Sequence, residues 1–227
     1  MRNVLSVLVV ASLAGAANAD LLAGWSFENY VPGPVTGQNQ GPIAADSGIF
    51  AAGAEARGFH AATATTWSNP VGNGSSRSFS SNTWTTGDYY QVRFSTVGYT
   101  DIVIDWQQTR SATGPQFFNL VASTDGGTTF FSLLSNYSVE VNGAVGGGSW
   151  SSTPANFRTG YGFNVAGTAA LANQADVIVR MVANSQAGGT GGTGRIDDVN
   201  INGTLIPTPG SLALLGLGGL VAARRRR

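Results

Sequence analysis

The sequence predicts an all-β protein, a two-sheet antiparallel β-sandwich of the jelly-roll kind. Three observations carry this. Apolar residues alternate with polar ones at a period of two through about nine or ten short runs, the spacing of strands with one face buried. The 32 glycines supply the positive φ values that many tight turns require. Only residues 166–173 read as a helical turn within the body, and short strands joined by Gly-rich turns bury their apolar faces by stacking two sheets.

Taken in order, residues 1–19 hold one early charge (Arg2), an apolar stretch over 4–15 and the small-x-small triplet Ala17-Asn18-Ala19. This is the pattern of a helical secretory signal peptide, cut by signal peptidase before Asp20. The β-sandwich domain then occupies 20–205. In its first strand Ala23, Trp25 and Phe27 share one face and Glu28 lies on the other, before the turn Pro32-Gly33-Pro34. Residues 37–66 are irregular, with a short strand near 58–61 and another at 78–80. The run 89–95 places Tyr90, Val92 and Phe94 on one side; Ile102, Ile104 and Trp106 alternate next, then Phe118, Leu120 and Ala122.

Ser123-Thr124-Asp125-Gly126-Gly127-Thr128-Thr129-Phe130 has the form of an Asp-box hairpin. Asp125 bonds the amides of its own turn, the two glycines take unusual φ values and Phe130 tucks beneath. Strands over 130–134 and 137–141 follow, then the helical turn at 166–173 and a strong strand over 177–182. A loop with five glycines (188–194) lacks the Gly-Lys-Ser/Thr ending of a phosphate-binding loop and leads to the last strand, 195–201.

Composition removes several functions. Hydrophobic residues make up 42% and charged residues 11%, with no lysine. The body carries seven arginines against twelve acidic residues, a balance of −5 that disfavours nucleic acid as a partner. No cysteine is available for disulfides or thiolate metal sites. His60 is the sole histidine, so a Ser-His-Asp triad would have to use it, and neither a Gly-x-Ser-x-Gly elbow nor a His-Glu-x-x-His helix is present.

Residues 206–227 read Ile206-Pro207-Thr208-Pro209-Gly210-Ser211, an apolar run over 212–223, then Arg224, Arg225, Arg226 and Arg227. The apolar run is short for a spanning helix, and the arginines would stay on the cytoplasmic side of a membrane. The proline motif, apolar run and arginine cluster together resemble the PEP-CTERM sorting signal of bacterial envelope proteins, with Thr208 in place of the family's glutamate. The resemblance implies recognition by an exosortase, cleavage near the proline motif after transient residence in the inner membrane, and delivery to the cell surface or extracellular matrix. A retained membrane anchor is the alternative.

The body is similar, in its Trp-x-Phe-Glu opening, Ser-Thr-Asp-Gly-Gly hairpin and Ile-Asp-Asp-Val closing strand, to jelly-roll modules of bacterial adhesins and carbohydrate-binding domains. That resemblance implies a structural calcium ion where first and last strands meet, held by Glu28 with Asp197 or Asp198 and a loop contribution from Asp46. Solvated outer-face carboxylates are the equal alternative. Trp25 and Trp106 belong to alternating strands and are expected in the core. Trp67, Trp84 and Trp150 sit among Ser, Thr and Asn and are the candidates for a polysaccharide-stacking surface, with rim packing as the alternative. The sequence thus favours a non-enzymatic structural or adhesive protein, then a carbohydrate-binding module acting on exopolysaccharide, then a glycan-processing enzyme using paired carboxylates.

Overall fold

The period-two pattern becomes thirteen strands in the computed structural model, which describes residues 18–30 and 35–207. They are β1 (Ala19–Trp25), β2 (Val35–Thr36), β3 (Asn39–Ala44), β4 (Glu55–Phe59), β5 (Thr66–Ser68), β6 (Phe79–Ser81), β7 (Tyr89–Phe94), β8 (Tyr99–Arg110), β9 (Phe117–Ser123), β10 (Phe131–Ser138), β11 (Gly162–Ala166), β12 (Val177–Ala183) and β13 (Gly194–Leu205). One sheet runs β11-β8-β13-β6-β5-β2, with β1 also paired to β13; the other runs β10-β9-β12-β7-β4-β3. The long β13 serves β6 with its first residues and β1 with its later ones, while β8 flanks its other edge.

With β2 to β6 set aside, the two sheets reduce to β1-β13-β8-β11 and β7-β12-β9-β10. The chain passes between them after β1, β7, β8, β10, β11 and β12, and only β9 to β10 is a hairpin within one sheet. This interleaving of two four-stranded antiparallel sheets is a jelly roll. The segment from β2 to β6 is an insertion that widens both sheets.

Between the sheets the alternating residues meet. Tyr90, Val92 and Phe94 of β7, Val177, Val179 and Met181 of β12, and Phe118, Leu120 and Ala122 of β9 face Ile102, Ile104 and Trp106 of β8 and Ile196, Val199 and Ile201 of β13, all buried. Trp25 and Trp106 are in this core, as their positions in alternating strands imply. The hairpin at 123–130 forms as expected: Asp125 Oδ1 accepts the Thr128 and Thr129 amides at 3.0 Å each, and Gly126 and Gly127 take φ of 74° and 89°.

Some local expectations are corrected. β1 ends at Trp25, so Phe27 lies past the strand in a left-handed conformation at φ 57°, yet it is buried in the core against Phe79 as its phase implied. The two strands expected over 130–141 are one, β10, kinked at Asn136 with φ 50°. The helical turn is a single 3-10 turn, Ala169–Leu171. Strands β2 and β3 carry no clean alternation, and they pair with β5 and β4 at the sheet edges; β11 does alternate, with Phe163 and Val165 inward, but was not foreseen. Residues 1–17 and 208–227 lie outside the described residues. With them lie most of the signal peptide and, of the sorting motif, Thr208, Pro209, Gly210 and Arg224 to Arg227; Pro207 is described and exposed. Among the described residues no helix is long and apolar enough to cross a membrane.

Candidate functional site

Trp67, Trp84 and Trp150 do not form a surface platform: their exposures are 0%, 2% and 3%. In a strand the neighbours at i±1 point to the other side, so the polar Thr66 and Ser68 leave Trp67 free to enter the core. Its indole N–H donates to Gly37 O at 2.8 Å, and that of Trp84 to Ser81 O at 3.0 Å. Trp150 packs edge-on against Tyr161 beneath the loop over the seven-stranded sheet.

Between Trp67 and Trp84 sits His60, with ring centroids 4.8 Å and 4.2 Å from theirs. Its Nε2 is 3.1 Å from Ser81 Oγ and its Nδ1 is 3.3 Å from Asp88 Oδ2, the connectivity of a Ser-His-Asp triad. The three residues are at most 1% exposed and line neither of the two clefts described below, so no substrate reaches Ser81. Asp88 also accepts the Ala61 amide at 2.8 Å, the Thr85 amide at 2.6 Å and the Thr85 hydroxyl at 3.1 Å. Ser81 Oγ lies 3.0 Å from the Tyr90 hydroxyl, which donates to Gly194 O at 2.8 Å. The network ties the ends of β4, β6, β7 and β13 together. Burial holds the imidazole below its ordinary pKa, against the pull of Asp88.

The acidic residues expected near the first and last strands fall into two settings. Asp197 is fully buried; its Oδ2 accepts the Asn73 amide at 2.8 Å and the Ser75 hydroxyl at 2.7 Å, while Oδ1 has no partner. Burial and the neighbouring Asp198 push its pKa up to about 7. Asp198 projects from a bulge in β13 at φ 46°; its backbone carbonyl accepts from the Asn200 side-chain amide at 3.1 Å, while its carboxyl accepts no hydrogen bond from the described residues. Burial, then the charges of Glu28, Asp46 and Asp105, push it up to about 6. Asp105 was not foreseen, although it alternates outward between Ile104 and Trp106; Asn200 and Asn202 donate to it at 3.3 Å and 2.8 Å.

Carboxylates crowded in this way have the donor chemistry of a hard cation. Yet Glu28 Oε1 is engaged by the Arg77 amide at 2.7 Å and Asp46 Oδ2 by the Ser26 amide at 2.9 Å. Among the described residues no group of three or more acidic or histidine side chains is arranged to hold a metal. Asp46 also lines a cleft of about 370 Å³ with Phe27, Tyr30 and Gln40, where it is the sole acidic residue, so no carboxylate pair faces a substrate there.

The outer face of the six-stranded sheet carries what the sequence reading missed. Phe59 of β4 lies opposite Tyr89 of β7, and their rings stack at 5.4 Å and 27°. The guanidinium of Arg180 of β12 lies 4.1 Å from the Tyr89 ring and 4.3 Å from that of Phe130, whose ring also lies beside Gly127 of its own hairpin. Arg180 Nε donates to Gln91 Oε1 at 2.8 Å. Four planar groups therefore run in series across the face, all partly exposed. The signal was phase: Tyr89 and Arg180 sit out of step with the buried sets Tyr90-Val92-Phe94 and Val177-Val179-Met181.

Further along this face an open groove of about 570 Å³ is lined by Glu55, Arg57, Arg93 and Asp176. Its arginines are paired bidentately, Arg57 with Glu55 at 2.7 and 3.1 Å and Arg93 with Asp176 at 2.6 and 2.8 Å. The hydrogen bond from Arg57 holds the Glu55 carboxyl below its usual range, which removes it as a proton donor.

No family model matches the chain, and no curated protein matches it. Solved structures similar to it include the CBM22-1 and GH10 modules of Clostridium thermocellum endo-1,4-β-D-xylanase 10B complexed with xylohexaose, at 13% identity over 83% of this chain and 29% of that one, TM-score 0.43. This chain thus spans under a third of that one. The K3 cleaved adhesin domain of Lys-gingipain from Porphyromonas gingivalis aligns at 14% identity over 80% and 98% of the two chains, TM-score 0.42. The family 11 carbohydrate-binding module of Clostridium thermocellum, in complex with a β-1,3-1,4-mixed-linked tetrasaccharide, aligns at 13% over 85% and 100%, TM-score 0.39.

Proposed function

We propose that this is an exported, non-catalytic β-sandwich that adheres to extracellular polysaccharide at the cell surface or in the matrix. The observation that carries the reading is the partly exposed series Phe59, Tyr89, Arg180 and Phe130, with Gln91 beside it. Aromatic rings offer apolar surface to the C–H faces of sugars, and the flanking amide and guanidinium offer hydrogen bonds to their hydroxyls. The catalytic alternative loses support because the one triad-like arrangement is buried and the groove carboxylates are held by arginines.

Affinity electrophoresis of the protein in gels containing neutral and acidic polysaccharides tests the proposal. Retardation by at least one polymer that is lost in Tyr89→Ala supports it; free migration in every gel sinks it.

The reading keeps the two terminal signals: residues 1–19 for export, and 206–227 as a PEP-CTERM-like segment processed by an exosortase. Support comes from the motifs themselves and from β1 starting at Ala19, next to the expected cleavage point. Mass spectrometry of the protein from its host decides the processing, since a mature form that still ends at Arg227 rules it out. A structural calcium ion belongs to the same reading. The unbonded carboxyl of Asp198 amid three like charges supports it, and Glu28 and Asp46 would have to turn from the Arg77 and Ser26 amides to join it, since the carboxylates as they stand are not arranged around a metal.

A further inference from the structure

The outer face of the six-stranded sheet holds three arginines, and they differ in how their charge is met. Arg57 and Arg93 each hold a carboxylate in a two-bond fork. Arg180 has none: among the described residues its one hydrogen-bond partner is the neutral Gln91 amide, through Nε, and its Nη1 and Nη2 have no acceptor. Its planar group is nevertheless fixed, clasped between the rings of Tyr89 and Phe130 with Nε tied to β7. Both rings lie within 4.3 Å of the guanidinium carbon and Nε is engaged, so the η nitrogens, which have no acceptor among the described residues, are what remains to offer a ligand. That edge fits a planar carboxylate in two parallel bonds.

We propose that the polysaccharide taken by this face is acidic, with the carboxylate of a uronic acid residue seated on the Nη edge of Arg180 and the sugar ring lying against the exposed ring edges of Tyr89 and Phe130. This rests on the adhesive reading above and adds a ligand class to it. A partly buried cation without a counterion is a standing cost, and a ligand anion relieves it where a neutral sugar cannot. The acidic cluster of Glu28, Asp46, Asp105 and Asp198 does not oppose this, because Asp105 and Asp198 lie on β8 and β13 of the other sheet, Glu28 follows β1, and Asp46, in the β3–β4 connection, is bonded to Ser26 beside them. The sheets of a sandwich stack about 10 Å apart, and that spacing sets the cluster's distance from the outer face that carries Arg180.

The test compares polygalacturonate with neutral dextran as ligands of the full chain, by calorimetric titration. Wild type should bind polygalacturonate more tightly than dextran, and the preference should fade as sodium chloride rises from about 0.05 to about 0.5 M. Arg180→Gln should lose about tenfold or more of the polygalacturonate affinity and far less of the dextran affinity, so that the preference between the two polymers collapses, and Arg180→Lys, which keeps the charge without the fork, should recover only part. Urea midpoints equal to wild type show that the variants fold; Gln91→Ala, which frees Nε alone, is the milder variant should they not. Dextran binding that equals polygalacturonate binding, or an Arg180→Gln protein that keeps its polygalacturonate affinity, overturns the uronate assignment while leaving adhesion through Tyr89 standing. Binding to neither polymer overturns the assignment, and the electrophoresis panel then judges the adhesive reading separately.

Discussion

His60 makes the folded protein lose stability on acidification. Its ring is fully buried between two indoles, and Asp88, the one carboxylate in reach, already accepts three other hydrogen bonds. The neutral imidazole is therefore the form the core accepts, and its pKa lies below the ordinary 6.5. Below about pH 6.5 the unfolded chain takes up a proton that the folded chain refuses. Stability is then fully present above that pH and falls by up to about 1.4 kcal/mol per pH unit as the pH drops towards the folded-state value. Asp197 and Asp198 tilt the other way: with pKa values raised to about 7 and about 6, their folded forms hold protons that the unfolded chain releases, so they cost stability as pH rises from about 4 to 7. The wild-type profile sums these slopes, so the assay must subtract them. Urea midpoints of wild type and His60→Gln, read from pH 8 to pH 5, isolate the histidine. The gap between the two proteins should narrow on acidification. Parallel profiles refute the buried neutral histidine, and a widening gap means that His60 and Asp88 form an ion pair instead.

Three shorter predictions follow from neighbouring features. A methyl group added at Gly58 of β4 would collide with the Trp67 indole and approach Phe79 at 3.1 Å, so Gly58→Ala should cost about 1–3 kcal/mol in urea unfolding; a loss under about 0.5 kcal/mol would mean the indole has room to move. Asp125 accepts four hydrogen bonds from Ser123, Thr128 and Thr129 that hold its pKa well below the carboxylate range, so the hairpin should lose protection as pH falls through acid values; hydrogen exchange of the Thr128 and Thr129 amides that is no faster in Asp125→Ala contradicts this. Millimolar calcium should raise the melting temperature of wild type but not of Asp198→Asn, and equal melting in calcium and in EDTA disposes of the metal.

The core strands were legible because burial on one face writes itself as period two: Tyr90-Val92-Phe94, Ile102-Ile104-Trp106 and Val177-Val179-Met181 could be read without a structure. Glycine and aspartate at 125–127 likewise announced their hairpin, since that turn is a local matter of φ and amide bonding. Within the insertion, the strands expected near 58–61 and at 78–80 correspond to β4 and β6, but β2, β3 and β5 were not readable, because Asn39–Ala44 and Thr66–Ser68 pair along edges that other segments present.

Local chemistry thus determined which residues turn inward and where the chain reverses, both of which depend on contacts a few residues away. It also supplied the charge balance, the absence of thiols and the two terminal motifs. Tertiary structure alone decided that polar-flanked tryptophans would clasp His60, that Asp105 would join Asp198, and that Phe59, Tyr89, Phe130 and Arg180, which lie 30, 71 and 121 positions along the chain from Phe59, would align on one face. Which side chains meet across strands depends on pairing order and register, and those are set by the packing of the whole sandwich.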